Sequence, residues 1–121
     1  MATTYTEATR EITPACSQRA VAFALAQLLT DYPELPTPHW TIPIPQSGND
    51  RVLYGHLQSE YETLEAFLAY VKVLGGVVTS CDPAEMYGRV VRTHTVVAQW
   101  EGIQVDVTVI LPASVDVQAA L

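Results

Sequence analysis

At 121 residues the chain is long enough for one domain with its own apolar core, and it needs no metal or disulfide staple to hold that core. A hydrophobic content of 49% excludes a disordered chain. The formal charge of −7, with Lys72 the single lysine and no Lys/Arg cluster, offers no surface for neutralising phosphates, so direct nucleic-acid binding is not expected.

A basic protein partner suits such a chain better, although acidity also serves solubility. Residues 1–12 are rich in Thr and Glu and read as a flexible tail. They contain no apolar signal region, and no later run approaches membrane-spanning length, so a cytoplasmic protein without a membrane partner is expected. Arginine outnumbers lysine and Ala and Val abound, a bias associated with GC-rich bacterial genomes and their phages.

The first helix is predicted to open with Thr13 as N-cap and Pro14 at the first helical position, and to end near Asp31, before Pro33. Val21, Leu25, Leu28, Leu29 and Tyr32 form its apolar stripe, while Phe23 points elsewhere with Cys16 one heptad behind it. Alanines 20, 22, 24 and 26 leave little polar surface. Such a helix calls for cover on two sides, by the core or by a second chain.

Pro33, Pro36 and Pro38 make a stiff connector. His39–Ile44 and Val52–Leu57 then read as a hairpin around a loop containing Ser47, Gly48, Asn49 and Asp50, with Trp40, Ile42 and Ile44 sharing a face with Leu53, Gly55 and Leu57. Pro43 and Pro45 place its first strand at a sheet edge. Ser59 and Glu62 form a capping box for a second helix whose stripe is Leu64, Phe67, Leu68, Val71 and Leu74 and whose stop is Gly75-Gly76. Val77–Cys81 is a short strand and Asp82-Pro83 a turn.

Met86 to Leu111 carries the clearest pattern in the chain. With Glu101-Gly102 as a two-residue turn, Trp100 pairs with Ile103, Ala98 with Val105, Val96 with Val107, His94 with Val109 and Arg92 with Leu111. One face is then almost wholly apolar, and the other carries Gln99, Gln104, Thr95, Thr108, Val97 and Asp106. The fold expected is a two-layer α+β sandwich. A mainly antiparallel sheet of four or five strands carries two helices on one face, in the order αββαβββ, as a single domain over 13–111 with a C-terminal tail over 112–121.

No P-loop, GxGxxG, HExxH or GxSxG pattern is present. The best catalytic set is Cys81 with His94 and Asp82 or Asp106, but Cys81 ends a strand and Asp106 falls on the face opposite His94, so no catalytic residue is assigned. His39 and His56, with Tyr54 or a carboxylate, lack metal-ligand spacing, and neither metal nor cofactor is expected. Cys16 and Cys81 read as thiols. The residues singled out for protein binding are Phe23 on the first helix and Glu85, Glu101 and Asp106 on the long hairpin and its approach. These features lead to a small acidic accessory, adaptor or neutralising protein that binds another protein without chemistry of its own. One rival is a homo-oligomeric phage or other assembly component, with a homodimer through Phe23 the simplest case. The other is a small-molecule binding protein or enzyme using a pocket near Cys81 and His94.

Overall fold

The computed structural model describes residues 14–44 and 51–121, with side chains from Ser17 onward. The expected tail, the Thr13 cap, the Cys16 thiol and the loop at Ser47 to Asp50 lie outside the described residues. Helix α1 spans Pro14–Asp31, strand β1 His39–Thr41 and β2 Val52–His56; a single 3₁₀ turn at Ser59–Tyr61 precedes α2, Leu64–Leu74. Strands β3, Val77–Ser80, β4, Ala84–Met86, β5, Arg89–Trp100, and β6, Ile103–Pro112, follow, and α3, Val117–Ala120, closes the chain.

The six strands form one mixed sheet in the order β1-β2-β6-β5-β3, with β4 also paired to β5. The β5–β6 register is the one read from the sequence, from Arg92 opposite Leu111 to Trp100 opposite Ile103. Positive φ at Glu101 (48°) and Gly102 (80°) is what a two-residue type I′ turn demands. Beyond that hairpin the expected order is corrected in two places. β2 and β6 run parallel, Leu53 beside Val105 and Gly55 beside Val107. The α2 crossover returns the chain to start β3 in the direction of β2, and two hairpin reversals then lay β6 between them in that same direction. Second, β4 is an added strand: Met86 pairs with Arg89 and Ala84 with Val91 across a Tyr87-Gly88 turn. Residues 81–83 form a bulge between β3 and β4, three residues facing two on β5. Glu85 therefore stands on a paired edge strand opposite Val90.

Helices α1 and α2 pack on one face, α1 against β2 and β6, α2 against β5 and β6. Beneath them lie Leu53, Val96, Ile103, Val105, Val107, Val109 and Leu111, all buried. The core continues past Leu111 to Val117 of α3. In α1 the buried positions are Ser17, Val21, Ala24 and Leu28, a stripe rotated from the expected one, leaving Leu25 half-buried and Leu29 exposed. Small Ala24 lets the helix approach closely enough for its carbonyl to accept a 3.1 Å hydrogen bond from Trp100 Nε1. The Ser59–Glu62 capping box is likewise replaced. Ser59 has φ 55° in the 3₁₀ turn, and the true N-cap is Thr63, extended at φ −137°, whose hydroxyl accepts from Ala66 N at 3.1 Å. Gly75 ends α2 in the left-handed conformation, as expected. Buried Tyr70 donates its hydroxyl to the Pro36 carbonyl, tying α2 to the proline connector. At the edge, the Trp40 ring covers Gly55 so closely that a Cβ there would lie 2.7 Å from the indole.

Candidate functional site

The face of the sheet opposite α1 and α2 can be reconstructed row by row from the register. Val77, Val97, Asp106, Tyr54 and Thr41 form one row, and Thr79, Thr95, Thr108, His56 and His39 the next. Thr95 and Thr108 share a 2.9 Å hydroxyl contact, and Gln104 Nε2 donates to Asp106 Oδ1 at 2.9 Å. Val77 and Tyr54 are exposed. The face combines apolar and hydrogen-bonding groups with the single carboxylate of Asp106.

At one end this surface continues into the β4–β5 hairpin. Its Tyr87 is 96% exposed, has φ 52° and is followed by Gly88 at φ 76°, while Met86 and Val90 beside it are also exposed. A left-handed tyrosine costs about 1 kcal/mol relative to a residue suited to that backbone. Local folding thus gives no reason for tyrosine here, where Asn or Gly would be preferred.

The residues singled out for protein binding do not converge. Glu85 lies on β4, Glu101 in the turn at the far end of β5, and Asp106 midway along β6. At about 3.3 Å per residue the two turns are roughly 40 Å apart. Phe23 is 68% exposed on the outward side of α1, beside Arg19, Ala22, Ala26 and Thr30.

The Cys81–His94 pairing is corrected. Cys81 is exposed, and its backbone N–H bonds to the Thr93 carbonyl at 2.9 Å, one step out of register with His94. Ser80, not Cys81, faces the imidazole, with 2.7 Å between Ser80 Oγ and His94 Nδ1. His94 is only 2% exposed, and the Phe67 ring lies 6.3 Å from it, centroid to centroid. Burial pushes the imidazole pKa below its ordinary 6.5, and the charge of Arg92 lowers it further. The ring is therefore neutral at pH 7. In a serine hydrolase a carboxylate supports the imidazolium formed when the hydroxyl is deprotonated. Here burial and Arg92 both oppose that charge, so the pair is a polar contact rather than an activated nucleophile.

His94 Nε2 and Arg92 Nε are both buried and lack hydrogen-bond partners among the described residues. Both residues are among those lining a pocket of about 340 Å³ with Ser80 and residues 113–118, but the two atoms themselves are closed off from it, each with under 1 Å² of accessible surface. Arg92 was legible on the apolar face of the hairpin register, an unusual place for a guanidinium. The sequence reading places Cys81, not Ser80, beside His94 and gives Tyr87 no role, although Tyr-Gly can carry the same turn signal as Glu-Gly.

His39 and His56 are direct cross-strand partners. Among the described residues no group of three or more His, Cys, Asp or Glu side chains is arranged to hold a metal ion, and no helix is long and apolar enough to cross a membrane. No protein family, curated protein or solved structure matches the chain.

Proposed function

We propose that the protein is a non-enzymatic binding module that docks another protein through the β4–β5 hairpin and the open sheet face continuous with it. The observation that carries this reading is Tyr87, nearly fully exposed at a left-handed backbone position and flanked by exposed Met86 and Val90. An aromatic held out on a short rigid turn is the kind of anchor that dominates protein interfaces, and placing it against local backbone preference suggests a use outside the chain's own fold. Glu85, two residues before it, within a chain of net charge −7, favours a partner with basic groups opposite the hairpin.

Affinity capture from the source cell, comparing wild type with Tyr87→Ser, tests the reading. A partner captured by wild type and by Glu101→Gln but lost with Tyr87→Ser supports it. The same partner set with and without Tyr87 overturns it.

A second reading, self-association through α1, is favoured by the exposure of Phe23 beside Ala22 and Ala26 on the outward side of the helix.

A further inference from the structure

We propose that the free edge of β3 pairs with the same edge of a second copy of the chain, continuing the sheet across a two-fold axis at Thr79. Among the described strands β3 pairs with β5 alone, and the direction of its backbone groups follows from one bond. Cys81 N–H donates to the Thr93 carbonyl directly opposite it, so in an antiparallel ladder Thr79 and Val77 also turn their backbone groups toward β5. The N–H and C=O groups of Val78 and Ser80 therefore point out of the sheet. Proteins usually guard such an edge with a charge, a proline or a bulge. At the opposite edge Pro38 and Pro43 flank β1, and β4 carries Glu85. Val77 to Ser80 contains neither charge nor proline, and Val77 is 68% exposed; the bulge at 81–83 limits the open run only at its end.

Charge and register select a second copy as the occupant. In a chain of net charge −7, Val73 to Cys81 carry no charge, so two copies meet here without like-charge repulsion. Lys72, the single lysine, precedes this run, and Asp82 and Glu85 follow it. A two-fold axis brings the lysine end of each copy toward the acidic end of the other. One antiparallel register opposes both outward residues of each copy, Val78 against Ser80 of the second copy and Ser80 against its Val78, each pair exchanging both main-chain hydrogen bonds. Thr79 then faces Thr79 of the second copy, and exposed Val77 meets exposed Cys81 of the second copy on the face away from the helices. A contact of so few residues lies at the small end of interface sizes, so the dimer forms only at high protein concentration.

Cys81 serves as the reporter of this register. Val77→Cys in a Cys16→Ala background is held at high concentration with oxidised glutathione, and the disulfide-linked peptides are identified by mass spectrometry. Non-hydrogen-bonded antiparallel partners have Cα atoms about 4.5 Å apart, within disulfide reach, whereas the two copies of Cys81 are offset by the 77–81 separation and lie roughly 13 Å apart. Positions 77 and 81 of one copy are equally distant, so a bond between them joins two chains. The expected result is a covalent dimer in which 77–81 links exceed 81–81 links by about tenfold or more. Thr79→Lys, an exposed position where folding is kept, sets like charges face to face on the axis and should suppress the link, while Phe23→Ser should leave it unchanged. If Val77→Cys does not fold, Thr79→Cys with Cys16→Ala and Cys81→Ser carries the test, its link crossing the axis. No covalent dimer, 81–81 links as abundant as 77–81 links, or indifference to Thr79→Lys would overturn the proposal.

Discussion

Burying an imidazole on the apolar face of β5 removes it from water, and Ser80 supplies a hydrogen bond to only one of its two nitrogens. Because His94 titrates below its ordinary 6.5 in the folded chain, both states are neutral above that value and the full stability is present there. As the pH falls through 6.5 the unfolded chain takes up a proton that the native ring refuses, so stability declines. Urea midpoints measured between about pH 7 and about pH 5 should fall more steeply in wild type than in His94→Asn, whatever the variant's stability at neutral pH. Register makes an equally sharp prediction for adjacent residues of β6. Val107 is fully buried and Asp106 half-buried on the opposite face, so Val107→Asp should cost about 3 kcal/mol or more, or unfold the chain. Asp106→Asn keeps the oxygen that accepts from Gln104 and should stay within about 0.5 kcal/mol in chemical denaturation.

Turns and caps decide the next scale, and they divide cleanly into what the letters reveal and what they hide. Glu101-Gly102 was legible because two-residue alternation runs for about ten residues on both sides of it. Tyr87-Gly88 has the same backbone, yet only Ala84 to Met86 flank it on one side before the bulge at 81–83, too short a run to show a period. Both turns hold a side chain at positive φ, so Glu101→Asn and Tyr87→Asn should each raise stability by about 0.5–1 kcal/mol, read as an increase in thermal midpoint. Only the second should impair partner capture, which separates the backbone's preference from the use proposed for the tyrosine. At α2 a capping pattern pointed four residues upstream of the real cap, because Ser59 takes a left-handed conformation that ends in a 3₁₀ turn. Thr63→Ala should therefore cost about 1 kcal/mol. Ser59→Gly should leave stability unchanged or raise it, the reverse of what a capping serine would show.

At the scale of the whole molecule, the chain joins its two halves through β6, which pairs parallel with β2 on one side and antiparallel with β5 on the other. Alternation along Ile103 to Leu111 reveals which face is buried, but it says nothing about which strand lies alongside, so the β2–β6 neighbourhood was hidden while the faces were not. The pocket was hidden for a related reason. His94 and Arg92 could be placed on the inner face from their register, but Ser80 and residues 113–118 reach them only through β3 pairing and the return of the C-terminal segment over the sheet. Phe23, by contrast, was legible from helical spacing alone. The described structure leaves it 68% exposed, with Ala22, Ala26 and Leu29 exposed around it and the core stripe turned away. A face of this kind on two copies of the chain can bury itself in a two-fold contact, in which each Phe23 meets the other copy's α1. Sedimentation equilibrium over a range of protein concentrations should then show a monomer–dimer equilibrium that Phe23→Ser shifts toward monomer by roughly tenfold or more, since such a change removes about 2 kcal/mol of apolar burial from each copy. Folding of the variant should be unaffected, because Phe23 makes no part of the core. A wild-type protein that is monomeric throughout, or a dimer indifferent to Phe23→Ser, would leave α1 as a helix exposed on one side and return the search for a partner surface to Tyr87 and the open face of the sheet.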